Sequence, residues 1–251
     1  MKAMIFAAGL GTRLAPLTDN IPKALIEVGG QPMIRRVIGH LRKAGITEIV
    51  VNVHHHASML KAYLTDNDFG VSILISDESD RLLDTGGAVV KAADLLRRSG
   101  NAPVILYNAD IFTDFPISEM MDQHISSRAD VTLLADTRES SRRLLFDVDN
   151  RMCGWRNTQT GETRSPYSKE ITDNCRGLAF GGVHIINTDV INHIERYGDA
   201  ESDGKFSITP FYTDWCDRLD IHSFTPIHPY NWIDIGRPET LARARELAAR
   251  L

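Results

Sequence analysis

The chain has 251 residues, 43% of them hydrophobic, and a formal net charge of −5. This is enough chain for one large α/β domain with a substantial core, while the acidic balance argues against non-specific nucleic-acid binding, which needs a basic face. No run of about 18 apolar residues is present to span a membrane, and Cys153, Cys175 and Cys216 lie far apart in sequence without zinc or redox spacing, which suits a reducing, cytoplasmic setting.

Residues 3–8 are apolar and lead straight into Gly9 and Gly11, so they read as a first strand and not as a signal peptide. A helix is predicted over 32–44, closed by Gly45. A strand over 48–53, a short helix over 56–65 and a strand over 71–76 follow. The next helix, 87–98, is stopped by Ser99-Gly100. Residues 104–107 form an apolar run fit for burial on both faces. A helix over 117–126 and a strand over 131–135 continue the alternation. This rhythm predicts an α/β fold with a Rossmann-like, doubly wound, mostly parallel sheet. Ligands bind such sheets outside the carboxyl ends of the strands. The glycine loop, Asp110 and the His54 region all fall at strand ends and are expected to converge on one crevice.

The segment 137–176 is polar and carries Gly154, Gly161 and Pro166. Short antiparallel strands are expected at 144–148 and 152–155. It reads as a small antiparallel insertion covering the substrate, inside a single domain of residues 1–251. Residues 181–186 return to the sheet. Helices are expected over 188–197, from Thr209-Pro210 onward, and over 238–249.

The strongest motif is Gly9-x-Gly11-x-Arg13, then Pro16, then Pro22-Lys23. No lysine follows the glycines at Walker spacing, and Leu14 stands where a dinucleotide fingerprint needs its third glycine. A strand that ends in a glycine loop with exposed N–H groups and two cations answers the dense negative charge of a nucleoside triphosphate.

The run Ala7-Ala8-Gly9-Leu10-Gly11-Thr12-Arg13-Leu14, with Pro16-Leu17-Thr18 and Pro22-Lys23-Ala24-Leu25, resembles the signature of the sugar-1-phosphate nucleotidyltransferases. Asp84-Thr85-Gly86-Gly87, Asn108-Ala109-Asp110, Phe180-Gly181-Gly182-Val183 and Trp232-Ile233-Asp234-Ile235-Gly236 resemble later blocks of that family, in order and over nearly the whole chain. Short bacterial muramate, mannose and heptose 1-phosphate enzymes look most similar. The resemblance implies a nucleotide-diphospho-sugar transferase (GT-A-like) architecture. It also implies transfer of a nucleotidyl group to a sugar 1-phosphate, with release of pyrophosphate and with Mg²⁺ as cofactor. Its partners would be a nucleoside triphosphate and a sugar 1-phosphate, with no nucleic acid and no membrane. Oligomeric state stays open, a homo-oligomer included. The sequence ends soon after Asp234, so the left-handed β-helix of some longer members, and acetyl transfer with it, are not expected.

Such a transfer is an in-line attack at the α-phosphorus by a phosphate oxygen that is already ionised at neutral pH. The difficulty is the approach of two anions, for which cations and Mg²⁺ are the remedy. Mg²⁺ takes oxygen ligands and often only one or two protein carboxylates. Asp110, after the 104–107 strand, could by spacing alone be a helix cap or loop carboxylate; the resemblance makes it a metal ligand. Asp234 lies in an apolar run that a carboxylate avoids unless paired or metal-bound; capping of the last helix near Arg237 is the other reading, and the resemblance favours metal. In the same way Arg13 would hold the β- and γ-phosphates and Lys23 the α-phosphate. Ala8, Gly9, Gly11 and Thr12 would meet the nucleotide through the loop. Gly86 and Gly87 would lie beneath the nucleoside, where a side chain blocks close approach; a plain strand-to-helix turn is the alternative.

Asn108 and the backbones of Gly181 and Gly182 are expected at the sugar, and Lys169 resembles a phosphate-contacting lysine of longer relatives. Trp155 and Tyr167 are candidates for the sugar pocket. Ala15 replaces a cation that some relatives carry. His54, His55 and His56 are discounted as a metal site, because adjacent residues at a strand end point apart. Uridylyl and guanylyl transfer lead as the reaction. Two alternatives are cytidylyl transfer to phosphocholine, with Trp155, Trp215, Trp232 and Tyr167 as cage walls, and a non-catalytic sensor of nucleotide sugars.

Overall fold

The structure is a computed structural model and describes every residue except Ser99, Asn101, Glu201, Ser202 and Leu251. In chain order it runs β1 (Lys2–Phe6), β2 (Glu27–Val28), β3 (Gln31–Pro32), α1 (Met33–Lys43), β4 (Glu48–Val53), α2 (Ala57–Asp66), β5 (Ser72–Asp77), α3 (Asp84–Lys91), α4 (Ala93–Arg97), β6 (Val104–Asn108), β7 (Ile111–Thr113) and α5 (Ile117–Ser127). It continues through β8 (Val131–Asp136), β9 (Arg142–Phe146), β10 (Met152–Asn157), β11 (Thr163–Arg164), α6 (Lys169–Asp173), β12 (Arg176–Ile186), α7 (Val190–Gly198), α8 (Ile208–Trp215), β13 (Ile221–Phe224), β14 (Trp232–Asp234) and α9 (Pro238–Ala248).

The main sheet has the order β11-β10-β9-β12-β6-β1-β4-β5, with β8 also paired to β12 and β13 to β8. Strands β6, β1, β4 and β5 are parallel, as the βαβ rhythm requires. The chain reverses at β12, which runs antiparallel to β6, β8 and β9. Strand β12 slips register between Phe180 and His184, so its first half serves β9 and its second half β6.

Each face of the sheet is covered. Val37, Leu60 and Met120, from α1, α2 and α5, pack on one side with Ile5 and Val51. Val89, Ile191 and Phe211, from α3, α7 and α8, pack on the other with Met4 and Leu106. The apolar stripe of α1, Met33, Ile34, Val37, Ile38 and Leu41, has helical spacing, and the helix gives way to Gly45 at φ +85°. A third, smaller cluster joins Leu14 and Ile26 to Phe112, Ile233, Ile235 and Leu241. It fastens the segment after the glycine loop to β7, β14 and α9.

Two expectations are corrected. The helix expected over 87–98 starts at Asp84 and is divided at Ala92 into α3 and α4; the Ser99 of its expected stop lies outside the described residues. It starts early because Phe206 O accepts the Gly86 N–H at 2.9 Å and the Gly87 N–H at 3.3 Å. These first-turn donors otherwise lack partners. The 137–176 segment holds a third strand, β11, and helix α6 besides the two expected strands, and β9 joins it to the main sheet through β12.

Candidate active site

Strand β1 ends at Phe6, and the next N–H, that of Ala7, leaves the ladder to donate to Asn52 Oδ1 at 2.7 Å. The chain then turns through Gly11 at φ +69°. A Cβ there would stand 2.8 Å from Thr18 Cγ2, and the Thr18 hydroxyl donates to Gly11 O at 2.9 Å. Both facts select glycine. The single turn Thr12–Leu14 follows and carries Arg13.

The loop rests on a buried polar relay. Asn52 Nδ2 donates to Glu78 Oε1 at 2.9 Å, and Leu83 N–H points to Glu78 Oε2 at 3.4 Å. His54 Nδ1 lies 2.6 Å from Glu78 O. The relay ties the ends of β1, β4 and β5 to the residue before α3. Glu78 is 0% exposed, and this burial pushes its carboxyl above the ordinary value of 4.5. The folded protein thus keeps a proton that the unfolded chain releases, and stability falls as pH rises from 4.5 towards the raised value. In Glu78→Gln that part of the pH dependence should vanish, as read from urea midpoints at a series of pH values; parallel curves for the two proteins would refute it.

The two aspartates, 124 residues apart in sequence, are joined by a two-stranded ladder. Strand β14 runs antiparallel to β7, with Asp234 opposite Ile111, and Ile235 N–H donates to Asp110 O at 3.0 Å. Lys23, only 12% exposed, donates from Nζ to Asp110 Oδ2 and lies 3.9 Å from Asp234 Oδ1. Asp234 Oδ1 also accepts the Gly236 N–H at 2.7 Å. A Cβ on Gly236 would come within 2.8 Å of Arg13 Nη2 and of Asp234 Oδ1, and 3.0 Å from Lys23 Nζ. Gly236 is therefore the point about which both cations and one carboxylate close.

Two cavities meet at Asn108. The first, about 450 Å³, is lined by residues 6–13 of the glycine loop, by Lys23, Asp84, Thr85, Asp110 and Lys205, and by Gly236. The second, about 660 Å³, is lined by Asp234, Trp232, Trp155, Phe180, Gly182 and three arginines, Arg138, Arg142 and Arg164, among others. Gly182 sits at φ +72°, where a Cβ would lie 2.9 Å from Asn108 Nδ2. Arg138 is held over the Trp232 ring at 3.8 Å and pairs with Asp136 at 2.7 Å. Trp232 Nε1 donates to Gly181 O at 2.9 Å.

Ala8, Gly9, Gly11, Thr12, Arg13, Lys23, Asn108 and Asp110 thus line the first cavity, and Asn108, Gly182, Trp155 and Asp234 the second. Other candidates stand elsewhere. Gly86 and Gly87 are buried beneath the crevice: a Cβ would meet the Phe206 ring at 2.3 Å or Gly204 O at 2.3 Å. They are glycines because the 204–206 loop crosses there; Asp84 and Thr85 face the cavity instead. Gly181 offers its carbonyl to Trp232, not to the cavity. Lys169 is 85% exposed on α6, paired with Asp173, and with Tyr167 borders a separate depression. Tyr167 donates to Cys216 O at 3.1 Å, and Trp215 packs on Phe211, so the four aromatic residues of a choline cage do not assemble. His54, His55 and His56 line neither cavity.

Sequence reading missed Asn52, Glu78, Lys205 and Arg142. Glu78 carried a weak signal, an acid directly after a strand; the others look like surface polar residues until the fold closes.

Among the described residues no group of three or more His, Cys, Asp or Glu side chains is gathered as a metal site. The pair Asp110 and Asp234 still suits Mg²⁺, which takes one or two protein carboxylates and fills its remaining positions with water and phosphate oxygen. Asp110 Oδ1 and Asp234 Oδ2 have no hydrogen-bond or ion-pair partner among the described residues. Both oxygens are hard donors left over, Asp110 on the first cavity and Asp234 on the second.

A family model described as nucleotidyl transferase matches residues 2–250. The chain belongs to the nucleotidyl transferase family. Among curated relatives, mannose-1-phosphate guanyltransferase of Debaryomyces hansenii is 29% identical over 243 residues, and that of Saccharomyces cerevisiae is 30% identical over 243. Each alignment covers 95% of this chain and 62% of the relative, so the chain spans somewhat under two thirds of their length. A Bacillus anthracis protein described as a glucose-1-phosphate thymidylyltransferase, in complex with a sucrose, superposes with a TM-score of 0.81 at 21% identity, covering 100% of this chain and 96% of that one. HddC from Yersinia pseudotuberculosis complexed with GMP-PN superposes at 0.71, with 20% identity and 98% of each chain covered. These structures share the fold. Among the described residues no helix is long and apolar enough to cross a membrane.

Proposed function

We propose that this chain transfers a nucleotidyl group from a nucleoside triphosphate to a sugar 1-phosphate, giving a nucleotide sugar and pyrophosphate. The observation that carries the reading is Lys23, set between Asp110 and Asp234 where two cavities join. One cavity has the glycine loop with Arg13, Lys23 and Lys205, which suits a triphosphate, and the other has aromatic and polar walls that suit a sugar. The guanyltransferase relatives support guanylyl transfer, with uridylyl transfer next.

In this reading the loop N–H groups and Arg13 bind the triphosphate and orient its α-phosphorus towards Asn108. Lys23 meets the charge that develops on the α-phosphate. The acceptor's phosphate oxygen attacks in line, and pyrophosphate leaves along the Arg13 side. Asp110 and Asp234 would hold Mg²⁺, which when bound offsets the phosphate charge. The attacking oxygen is already ionised, so the site has no need of a strong base. The same proposal puts the reaction in the cytoplasm, where nucleoside triphosphates are made, and its product in envelope glycan assembly. Segment 137–176 serves as the wall of the acceptor cavity within one functional unit.

The test is pyrophosphate release from GTP, UTP, CTP, dTTP and ATP, crossed with a set of sugar 1-phosphates and phosphocholine, with and without Mg²⁺. A Mg²⁺-dependent signal for one pairing with a sugar 1-phosphate is expected. Turnover of phosphocholine alone, or nucleotide-sugar binding without turnover, would replace the proposal. Lys23→Ala should lower kcat by about 10²–10³-fold, the scale of one lost donor to developing charge, and change KM for the triphosphate much less; a pure KM effect would remove Lys23 from the transition state.

A further inference from the structure

The walls of the first cavity come from distant parts of the chain. One is the glycine loop after β1; another is Leu82, Asp84 and Thr85 at the entry to α3. Arg13 and Lys23 gather about Gly236, with Asp110 on Lys23. Phosphates are drawn there, and the space between the loop and the α3 entry is left for the nucleoside.

Strand register explains how one side chain reaches both walls. Ser76, Asn52, Phe6 and Asn108 lie opposite one another across β5, β4, β1 and β6. They therefore share a face of the sheet, the one that packs on α3. Asn52 Oδ1 accepts the Ala7 N–H at 2.7 Å, where the chain leaves β1 for the loop. Asn52 Nδ2 donates to Glu78 Oε1 at 2.9 Å. Glu78 Oε2 accepts the Leu83 N–H at 3.4 Å, and Leu83 O accepts the Phe206 N–H at 3.1 Å. The backbone of Glu78 is pinned as well: its N–H donates to Val53 O at 2.8 Å and its carbonyl accepts the Arg81 N–H at 2.9 Å.

Asn52 is 3% exposed and Glu78 0%. An apolar pair would fill this place at a lower desolvation cost. A paired amide and carboxyl instead fix distance and direction. Neither residue lines either cavity, so their effect on a nucleotide passes through the walls they join. Resting on the transferase reading above, we infer that Asn52 and Glu78 are positioning residues for the nucleotide: they hold the glycine loop and the α3 entry at the separation that grips the nucleoside.

The experiment exchanges the two groups. In Asn52→Asp the Ala7 N–H keeps its acceptor, but the new oxygen faces Glu78 Oε1 and the link between the walls is lost. In the double variant Asn52→Asp, Glu78→Gln the new amide donates to the new carboxylate and still accepts from Leu83, so the link returns with its polarity reversed. Kinetics with GTP and with UTP are followed at mildly alkaline pH, where facing carboxyls do not share a proton, alongside the thermal midpoint. Asn52→Asp should raise KM for the triphosphate by about tenfold, leave kcat within about threefold and narrow the preference between GTP and UTP. The double variant should return KM to within about threefold of wild type and restore the preference. Should Asn52→Asp not fold, Glu78→Gln alone is compared with the double variant. Its single amide oxygen replaces the two that Asn52 and Leu83 reach, so it should show a raised KM that the double variant lacks. A thermal midpoint that falls and recovers while KM and preference stay at wild-type values would make the relay purely structural and overturn the inference; a loss confined to kcat would overturn it too. Calorimetric titration with GTP and UTP reads the same pattern without turnover. If nothing turns over, yet affinity falls in Asn52→Asp and returns in the double variant, the transferase reading fails while the inference stands.

Discussion

Asp110→Asn should lose about 10²–10³-fold in turnover while its thermal midpoint stays within about 4 °C of wild type. Asn keeps the size of the side chain and one acceptor, so the β7–β14 ladder, which uses Asp110 only through its carbonyl, is untouched. What goes is charge. Lys23 loses the carboxylate it contacts and keeps only Asp234, 3.9 Å away, and one of two hard oxygen donors for Mg²⁺ is gone. Asp234→Asn should fall in the same range, because an amide oxygen can still accept the Gly236 N–H. The Mg²⁺ concentration needed for half-maximal rate should rise in both. The double variant should lose far less than the product of the two effects, since the carboxylates act as a unit. Pyrophosphate-release kinetics over a Mg²⁺ titration, with circular dichroism as the fold control, checks all of this. Near-normal turnover with unchanged metal dependence in either single variant would remove that residue from the site.

Gly87→Ala should cost about 3 kcal/mol of stability, the upper end of ordinary overpacking, and lower the thermal midpoint by about 6–12 °C. The added methyl would sit 2.3 Å from Gly204 O. That atom belongs to the backbone, which cannot swing aside as a side chain can. The neighbouring 206 position anchors the first turn of α3, so the strain should also loosen that turn. Nucleotide affinity of the folded fraction should change little, because Gly87 lies beneath the crevice and not in it. Differential scanning calorimetry gives the first quantity and nucleotide titration below the transition gives the second. A normal midpoint with a large loss of affinity would return Gly87 to the nucleotide.

The contrast between these residues shows what the sequence makes legible. The parallel half of the sheet is readable because β1, β4 and β6 are apolar runs bounded by glycine or polar breaks, and each is separated by a helix with a clear stripe. Arg13 and Lys23 are legible as neighbours of one cavity because they follow the glycine loop after β1, and Asp110 because it follows β6. At Gly86 and Gly87 a glycine signals close approach, but sequence does not say whether a ligand or the chain's own 204–206 loop approaches, and here the loop does. Lys169 stands apart from both cavities, and a polar insertion has no period to say which face α6 turns outward. Asn52 and Glu78 meet each other across 26 residues and Arg142 reaches its cavity through the register of β9 against β10, neither of which leaves a local pattern.

The ladder between β7 and β14 also bears on how the protein matures. Asp110 is synthesised well ahead of its partner carboxylate, 124 residues later, and of the Gly236 turn on which Arg13 and Lys23 close. The first cavity likewise waits for Lys205 and Gly236, and the first turn of α3 for the Phe206 carbonyl, so the parallel sheet alone closes neither cavity. A chain clipped between α7 and α8 should therefore lose both cavities together rather than one at a time.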